Sequence, residues 1–112
     1  MISLESLEEM FASMRTTASM NVDGDLLWGY FFFDSTQQPL VAVSEELGRK
    51  GYTVVRNELT DDGSSYVLHV ERVETHTPQS LYRRNAEFEA LAEAHGIHSY
   101  DGMDVGPVPG RQ

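Results

Sequence analysis

Leu26-Leu27-Trp28-Gly29-Tyr30-Phe31-Phe32-Phe33 is a short apolar and aromatic run, and its reading decides the fold. It is too short for a buried helix, and the turn signal Asp23-Gly24 precedes it, so it reads as a strand. Apolar residues at both parities predict a central strand, covered on two sides. A strand places alternate side chains on opposite faces. Trp28, Tyr30 and Phe32 then share one face, and Leu27, Gly29, Phe31 and Phe33 share the other.

Working outward toward the C-terminus, Ser35 or Thr36 starts a helix with Pro39 in its first turn. Leu40, Val43 and Leu47 form its apolar stripe, widened by Val41 and Ala42. Gly51 stops it, after Arg49 and Lys50 have met the negative end of the helix dipole. Tyr52 to Leu59 reads as a second strand, Asp61-Asp62-Gly63-Ser64 as a hairpin loop, and Ser65 to Val73 as the returning strand. On that strand Tyr66, Leu68 and Val70 share a face opposite Val67, His69 and Glu71. Thr77-Pro78 starts another helix whose apolar face carries Leu81, Phe88, Leu91, Ala92 and His95, and Gly96 ends it. Ile97 to Tyr100 makes a short last strand. Outward toward the N-terminus, Leu4, Leu7, Met10, Phe11 and Met14 recur at helical spacing behind a Ser3 cap, so a helix is expected over about 4–18.

The order is a helix followed by β-α-β-β-α-β. The expected class is α+β, a ferredoxin-like sandwich with an additional N-terminal helix. One domain spans residues 1–112, with the helix at about 4–18, the core at about 26–100, and a turn and tail at 101–112. The N-terminal helix must bury its stripe either on the open sheet face or against a second protomer. The second choice, with the sheet edges, would make a homodimer.

At 112 residues, 40% of them hydrophobic, the chain supports one core and not two. It has no cysteine, which excludes disulfides, thiolate metal sites and a cysteine nucleophile. No apolar run is long enough to span a membrane. Glu5, Glu8 and Glu9 stand where a secretory signal would be basic and then apolar, so a cytoplasmic protein is expected. Eight Lys and Arg against 18 Asp and Glu give a net charge of −10. Such a surface repels phosphate backbones and anionic lipid and favours a basic protein partner, so direct nucleic-acid binding is not expected.

Few constellations point to chemistry. Asn21, Asp23 and Asp25 alternate like a calcium loop, but Leu26 and Phe32 occupy the places that need Gly and Glu. His95, His98 and Asp101 are spaced for a metal, yet Gly96 breaks the helix between the two histidines. No metal and no cofactor is therefore expected. His69 shares a face with Glu71 and is the best acid–base candidate, with Glu71 or Asp62 to orient it. No serine lies in a nucleophile elbow, and no Gly-rich phosphate loop occurs. Trp28, Tyr30 and Phe32 read either as a base-stacking platform or as core, and the scarcity of basic residues favours core.

Tyr100-Asp101-Gly102-Met103-Asp104-Val105-Gly106-Pro107 resembles the ending of proteins with the ribonuclease E inhibitor RraB domain, which typically read aromatic-Asp-Gly-Trp there. Asn85 to Ala92, followed by Gly96, resembles the second helix of that family, and the strand–helix–strand pattern from Leu26 extends the likeness over most of the chain. The resemblance implies a ferredoxin-like fold, no catalytic residues, and a regulatory role in which the protein binds ribonuclease E and restrains its cleavage of RNA. Met103 stands where the family usually has Trp, and Pro109-Gly110-Arg111-Gln112 stands where well-known members carry a long acidic tail.

The expected function is therefore a non-enzymatic acidic module that binds another protein. Its expected contact residues are Asp61, Asp62, Glu71 and Glu74, with the turn at Tyr100, Asp101, Gly102 and Asp104 as a second patch. Two alternatives stand beside it. One is a small enzyme or ligand-binding domain that uses His69 in a cleft beside the aromatic strand. The other is an acidic antagonist of an unrelated basic protein.

Overall fold

A computed structural model describes residues 2–17 and 20–110 of the chain. It is an α+β structure with three helices and one four-stranded antiparallel sheet. The elements run α1 (Leu4–Thr17), β1 (Leu26–Asp34), α2 (Gln38–Arg49), β2 (Thr53–Leu59), β3 (Tyr66–Glu74), α3 (Pro78–Ala94) and β4 (Ser99–Gly106). The sheet order is β2-β3-β1-β4, so β1 is central as its composition predicts.

β1 pairs with β3 without interruption from Leu26↔Glu74 to Asp34↔Tyr66. The alternation read in β1 sets the layers. Trp28, Tyr30 and Phe32 are each 0% exposed and lie under the helices. Phe88 of α3 packs edge-on against Tyr30 with ring centroids 4.9 Å apart. Leu40, Val43 and Leu47 of α2 complete the core beside Leu68 and Val70 of β3. Burying an aliphatic or aromatic side chain contributes about 1.5–3 kcal/mol, so this layer holds most of the stability. The aromatic run on this face is core and is closed to base stacking.

Helix ends follow local chemistry. Thr77 Oγ1 accepts from the Ser80 N–H at 3.0 Å, and Ser80 Oγ accepts from the Thr77 N–H at 2.8 Å, a reciprocal cap on α3. Ser3 Oγ accepts from the Ser6 N–H at the start of α1. Gly51 and Gly96 take φ of +94° and +67° after α2 and α3, where a side chain would be strained. The second helix begins later than its sequence suggests. Ser35 and Thr36 stay in the loop because Asp34 accepts the Thr36 N–H and hydroxyl, both at 2.9 Å, and also the His98 N–H at 2.8 Å. These bonds hold the Asp34 carboxyl below its usual pKa.

Two expectations need correction. The N-terminal helix covers neither the open sheet face nor a second protomer. Leu7 and Phe11 are 0% exposed, Phe11 stacks on Trp28 at 6.0 Å, and α1 contacts α3. It thus joins the helix layer of its own chain, extending the same aromatic face. Ala18, the last residue of the expected helix, lies outside the described residues, as do 111 and 112 of the tail. The second correction concerns Asp101-Gly102, which is not a turn after the last strand. The strand runs on to Gly106. Tyr30↔Met103 and Phe32↔Tyr100 are both register pairs, so β4 carries one residue more than β1 in that interval. The extra residue is a bulge in which Gly102 takes φ +101°. The Asp-Gly signal marked real backbone irregularity but not its kind.

Candidate functional site

Among the described residues, the other face of the sheet carries no helix. Register places Leu27, Gly29, Phe31 and Phe33 of β1 on it, with Val73, Glu71, His69 and Val67 opposite them on β3. From β4 come Gly106, Asp104 and Ser99, and from β2 come Thr53, Arg56 and Glu58. Val73 is 42% exposed, Phe31 and Phe33 are half-buried, and Val67 is buried. An antiparallel sheet with one wet face normally places polar residues there. This one keeps an apolar strip between charged flanks.

Gly29 is the middle of that face. Its register partners are Glu71 on β3 and Asp104 on β4, so two carboxylates bracket it. A Cβ at Gly29 would stand 2.4 Å from Asp104 Oδ1 and 2.7 Å from His69 Nε2. Both side chains therefore lean across β1 into space that only glycine leaves. The His69 ring stacks on Phe31 with centroids 4.3 Å apart. Its Nε2 is buried and has no hydrogen-bond partner among the described residues, which is an uncommon state for a buried polar atom. Its neighbour across Gly29 is Asp104, rather than the Asp62 considered from sequence.

The expected contact residues separate into groups. Glu71 and Asp104 share the open face, on either side of Gly29. Asp61 and Asp62 are exposed in the β2–β3 loop, five residues along β3 from Glu71 if counted from Tyr66, or about 17 Å at the rise of a strand. Asp62 shapes that loop by accepting from the Thr60 hydroxyl at 2.6 Å, the Ser64 N–H at 3.0 Å and the Ser64 hydroxyl at 2.8 Å. Those bonds lower its pKa to about 2. Tyr100 is 7% exposed and donates its hydroxyl to Asn85 Oδ1 at 2.6 Å under α3. Gly102 is buried in the bulge, and Asp101 is exposed on the β4 edge.

Glu74 turns the other way. It is paired with Leu26, on the helix side, and its side chain is only 7% exposed. Oε1 accepts from the Tyr30 hydroxyl at 2.6 Å and lies 3.2 Å from His76 Nε2. Oε2 accepts from Arg72 Nη2 at 2.6 Å and from Arg84 Nη1. Burial opposes the charge, but the His76, Tyr30, Arg84 and Arg72 contacts outweigh it and hold the carboxyl far below its usual pKa. Burial and the Glu74 carboxylate push the Tyr30 phenol well above its ordinary value. The spacing Arg72, Glu74, His76 was the signal for this hub, because alternate strand residues share a face.

The candidate metal ligands also separate. His95 faces Glu46 at 3.4 Å, while His98 is exposed and its backbone N–H is held by Asp34. Among the described residues no group of three or more His, Asp or Glu is placed to hold a metal ion. No described helix is long and apolar enough to cross a membrane.

A sheet roofed by helices on one side and, among the described residues, free of helices on the other, with acids flanking Gly29 at its centre, defines a small α+β domain that presents a sheet face. The sequence matches the family described as Regulator of ribonuclease activity B, RraB, over residues 5–105. The chain belongs to that family, a regulatory and non-catalytic one. No curated protein matches the chain. The resemblance seen at Tyr100–Pro107 and Asn85–Ala92 thus extends over nearly the whole sequence. Met103, at the position of the family's usual Trp, faces the helix layer, where Asn85 Nδ2 donates to its sulfur at 3.7 Å.

Proposed function

We propose that this protein is a non-catalytic regulator that binds a ribonuclease, by its family resemblance ribonuclease E, through the helix-free face of its sheet. Family membership supports regulation of ribonuclease activity as the role. The observation that carries the choice of face is the centre at Gly29, where Glu71 and Asp104 stand beside half-buried Phe31 and Phe33. Apolar contact area bounded by unshared charge is the anatomy of a protein interface, and the acids steer a basic partner toward it. Asp61 and Asp62 extend the negative field at the hairpin end, and Asp101 extends it at the β4 edge. Tyr100 and Gly102 act from beneath by fixing the strand that carries Asp104.

The strand order supports reading the fold as ferredoxin-like, with β1–α2–β2 and β3–α3–β4 interleaved and α1 added. The place of action on this reading is the bacterial cytoplasm. Because α1 is satisfied within its own chain, one reason for a homodimer is gone, and the monomer is the binding unit we favour.

The test is binding of purified ribonuclease E on a biosensor over a salt series, followed by an RNA-cleavage assay. We expect a complex that weakens with salt and slows cleavage. The doubly reversed Glu71→Lys, Asp104→Lys protein should associate about tenfold or more slowly. Absence of binding at low salt removes ribonuclease E as the partner, and capture of another basic protein would replace it. Binding indifferent to the double reversal removes the face. The unpartnered Nε2 of His69 beside Asp104 favours a second reading, a small-molecule site at the same centre with His69 as its acid–base group. A turnover or ligand-binding signal lost in His69→Ala would support it.

A further inference from the structure

On the helix side of the sheet, a cavity of about 470 Å³ opens between α2 and α3, within the size range of small-ligand sites. Leu47, Phe88 and Leu91 give it an apolar floor. Tyr52 also lines it and is 7% exposed. Its ring is held edge-on by Tyr30 and Phe88 and lies under the Arg72 guanidinium at 4.0 Å. Its hydroxyl makes no hydrogen bond to any described residue and is not sealed from solvent. A phenol this deeply placed normally finds a partner. Burial and the nearby Glu74 raise its pKa, so it keeps its proton and remains a donor.

The wall beside it is cationic. Arg72 and Arg84 share the single buried carboxylate of Glu74, which cannot neutralise both. Glu87 lies 3.7 Å from Arg84 but is 69% exposed, so water screens it. Lys50 stands at the rim, loosely paired with Glu46 at 3.3 Å. Three of the chain's eight Lys and Arg thus gather at one cavity in a protein of net charge −10. The field there favours a negative group, the free phenol favours an acceptor, and the floor favours hydrocarbon.

We propose that this cavity binds a small carboxylic acid with a hydrocarbon body. Its carboxylate meets Tyr52, Arg84 and Lys50, and its hydrocarbon lies on Leu47, Phe88 and Leu91. The site is across the sheet from the face assigned to the protein partner, and it stands or falls independently of that reading.

The test is calorimetric titration of the full chain with 4-phenylbutyrate, with 4-phenylbutanol as its uncharged counterpart. A peptide, acetyl-Gly-Leu-Phe with a free C-terminal carboxylate, forms a third arm. We expect the acid to bind at least about tenfold more tightly than the alcohol, since hydrogen bonds to a charged acceptor are the strong ones. Tyr52→Phe should weaken the acid about tenfold and leave the alcohol unchanged. Ala90→Phe, on the exposed rim, should block both and keeps the test open if Tyr52→Phe fails to fold. No binding at millimolar acid, equal binding of acid and alcohol, or indifference to both substitutions overturns the proposal. A peptide that binds tenfold more tightly than the acid also overturns it, because the occupant is then a chain terminus.

Discussion

The two faces of the sheet use the same residue types for opposite ends. On the helix side, Tyr30, His76 and Glu74 are locked together with two arginines, and each polar atom of the Glu74 carboxylate has partners. On the bare side, Phe31, His69 and Asp104 form a similar trio around Gly29, and the His69 Nε2 has none among the described residues. Tyr30 and Phe31, adjacent in β1, fall into opposite sets, and both sets hold an aromatic ring, a histidine and an acid, so composition cannot separate them. What separates them is the number of bonds each charge makes. A charge with every bond filled holds the fold together, and a charge left unfilled is free to meet something else.

The comparison breaks most sharply at Glu74. Glu74→Gln leaves two partly buried guanidinium groups without their buried carboxylate and should lower stability by about 3 kcal/mol, read from urea unfolding. Its pH dependence has a definite sign. The folded-state pKa lies below the ordinary 4.5, so the contribution is fully present above 4.5 and is lost as pH falls from there through the folded-state pKa. The gap between wild type and variant should therefore close in acid. A gap that persists unchanged would mean the hub acts by packing and not by charge.

Gly102→Val comes next. A β-branched residue at φ +101° is strained by roughly 1–3 kcal/mol, and its side chain would also approach Ile2. A variant as stable as wild type would show that β4 does not need its bulge. On the bare face, Glu71→Lys and Asp104→Lys should move stability by no more than about 0.5 kcal/mol while slowing partner association. A large loss of stability there would erase the distinction between the faces. Smallest of all is Asp61→Lys at the exposed hairpin tip, where thermal melting should not change and only the salt dependence of association should soften.

Element order, the central place of β1 and the split of its side chains were legible because each rests on local periodicity and capping. The full extent of β4 was not. Asp101-Gly102 has the chemistry of a turn, and only pairing with β1 shows that the chain continues straight through it. The docking of α1 on Trp28 was equally hidden, since an apolar stripe states that something covers it and not what. From sequence, Glu71 and Glu74 fall in one group and the strand ends at Val73, whereas β3 runs on to Glu74 and their opposite parity sends them to opposite faces. The meeting of Asp104 with His69 over Gly29 depends on the register of three strands, which no local signal carries.

Both outer strands of the sheet contain one residue too many. In β2, Val54↔Val70 and Arg56↔His69 leave Val55 as the extra, and in β4 the extra lies at Asp101-Gly102. The inner pair has no such interruption over its nine residues. An irregular outer rim is a poor template for another strand, so neither side of this sheet invites growth into ribbons or fibrils. Whatever it recognises must come to it across a surface, not alongside it.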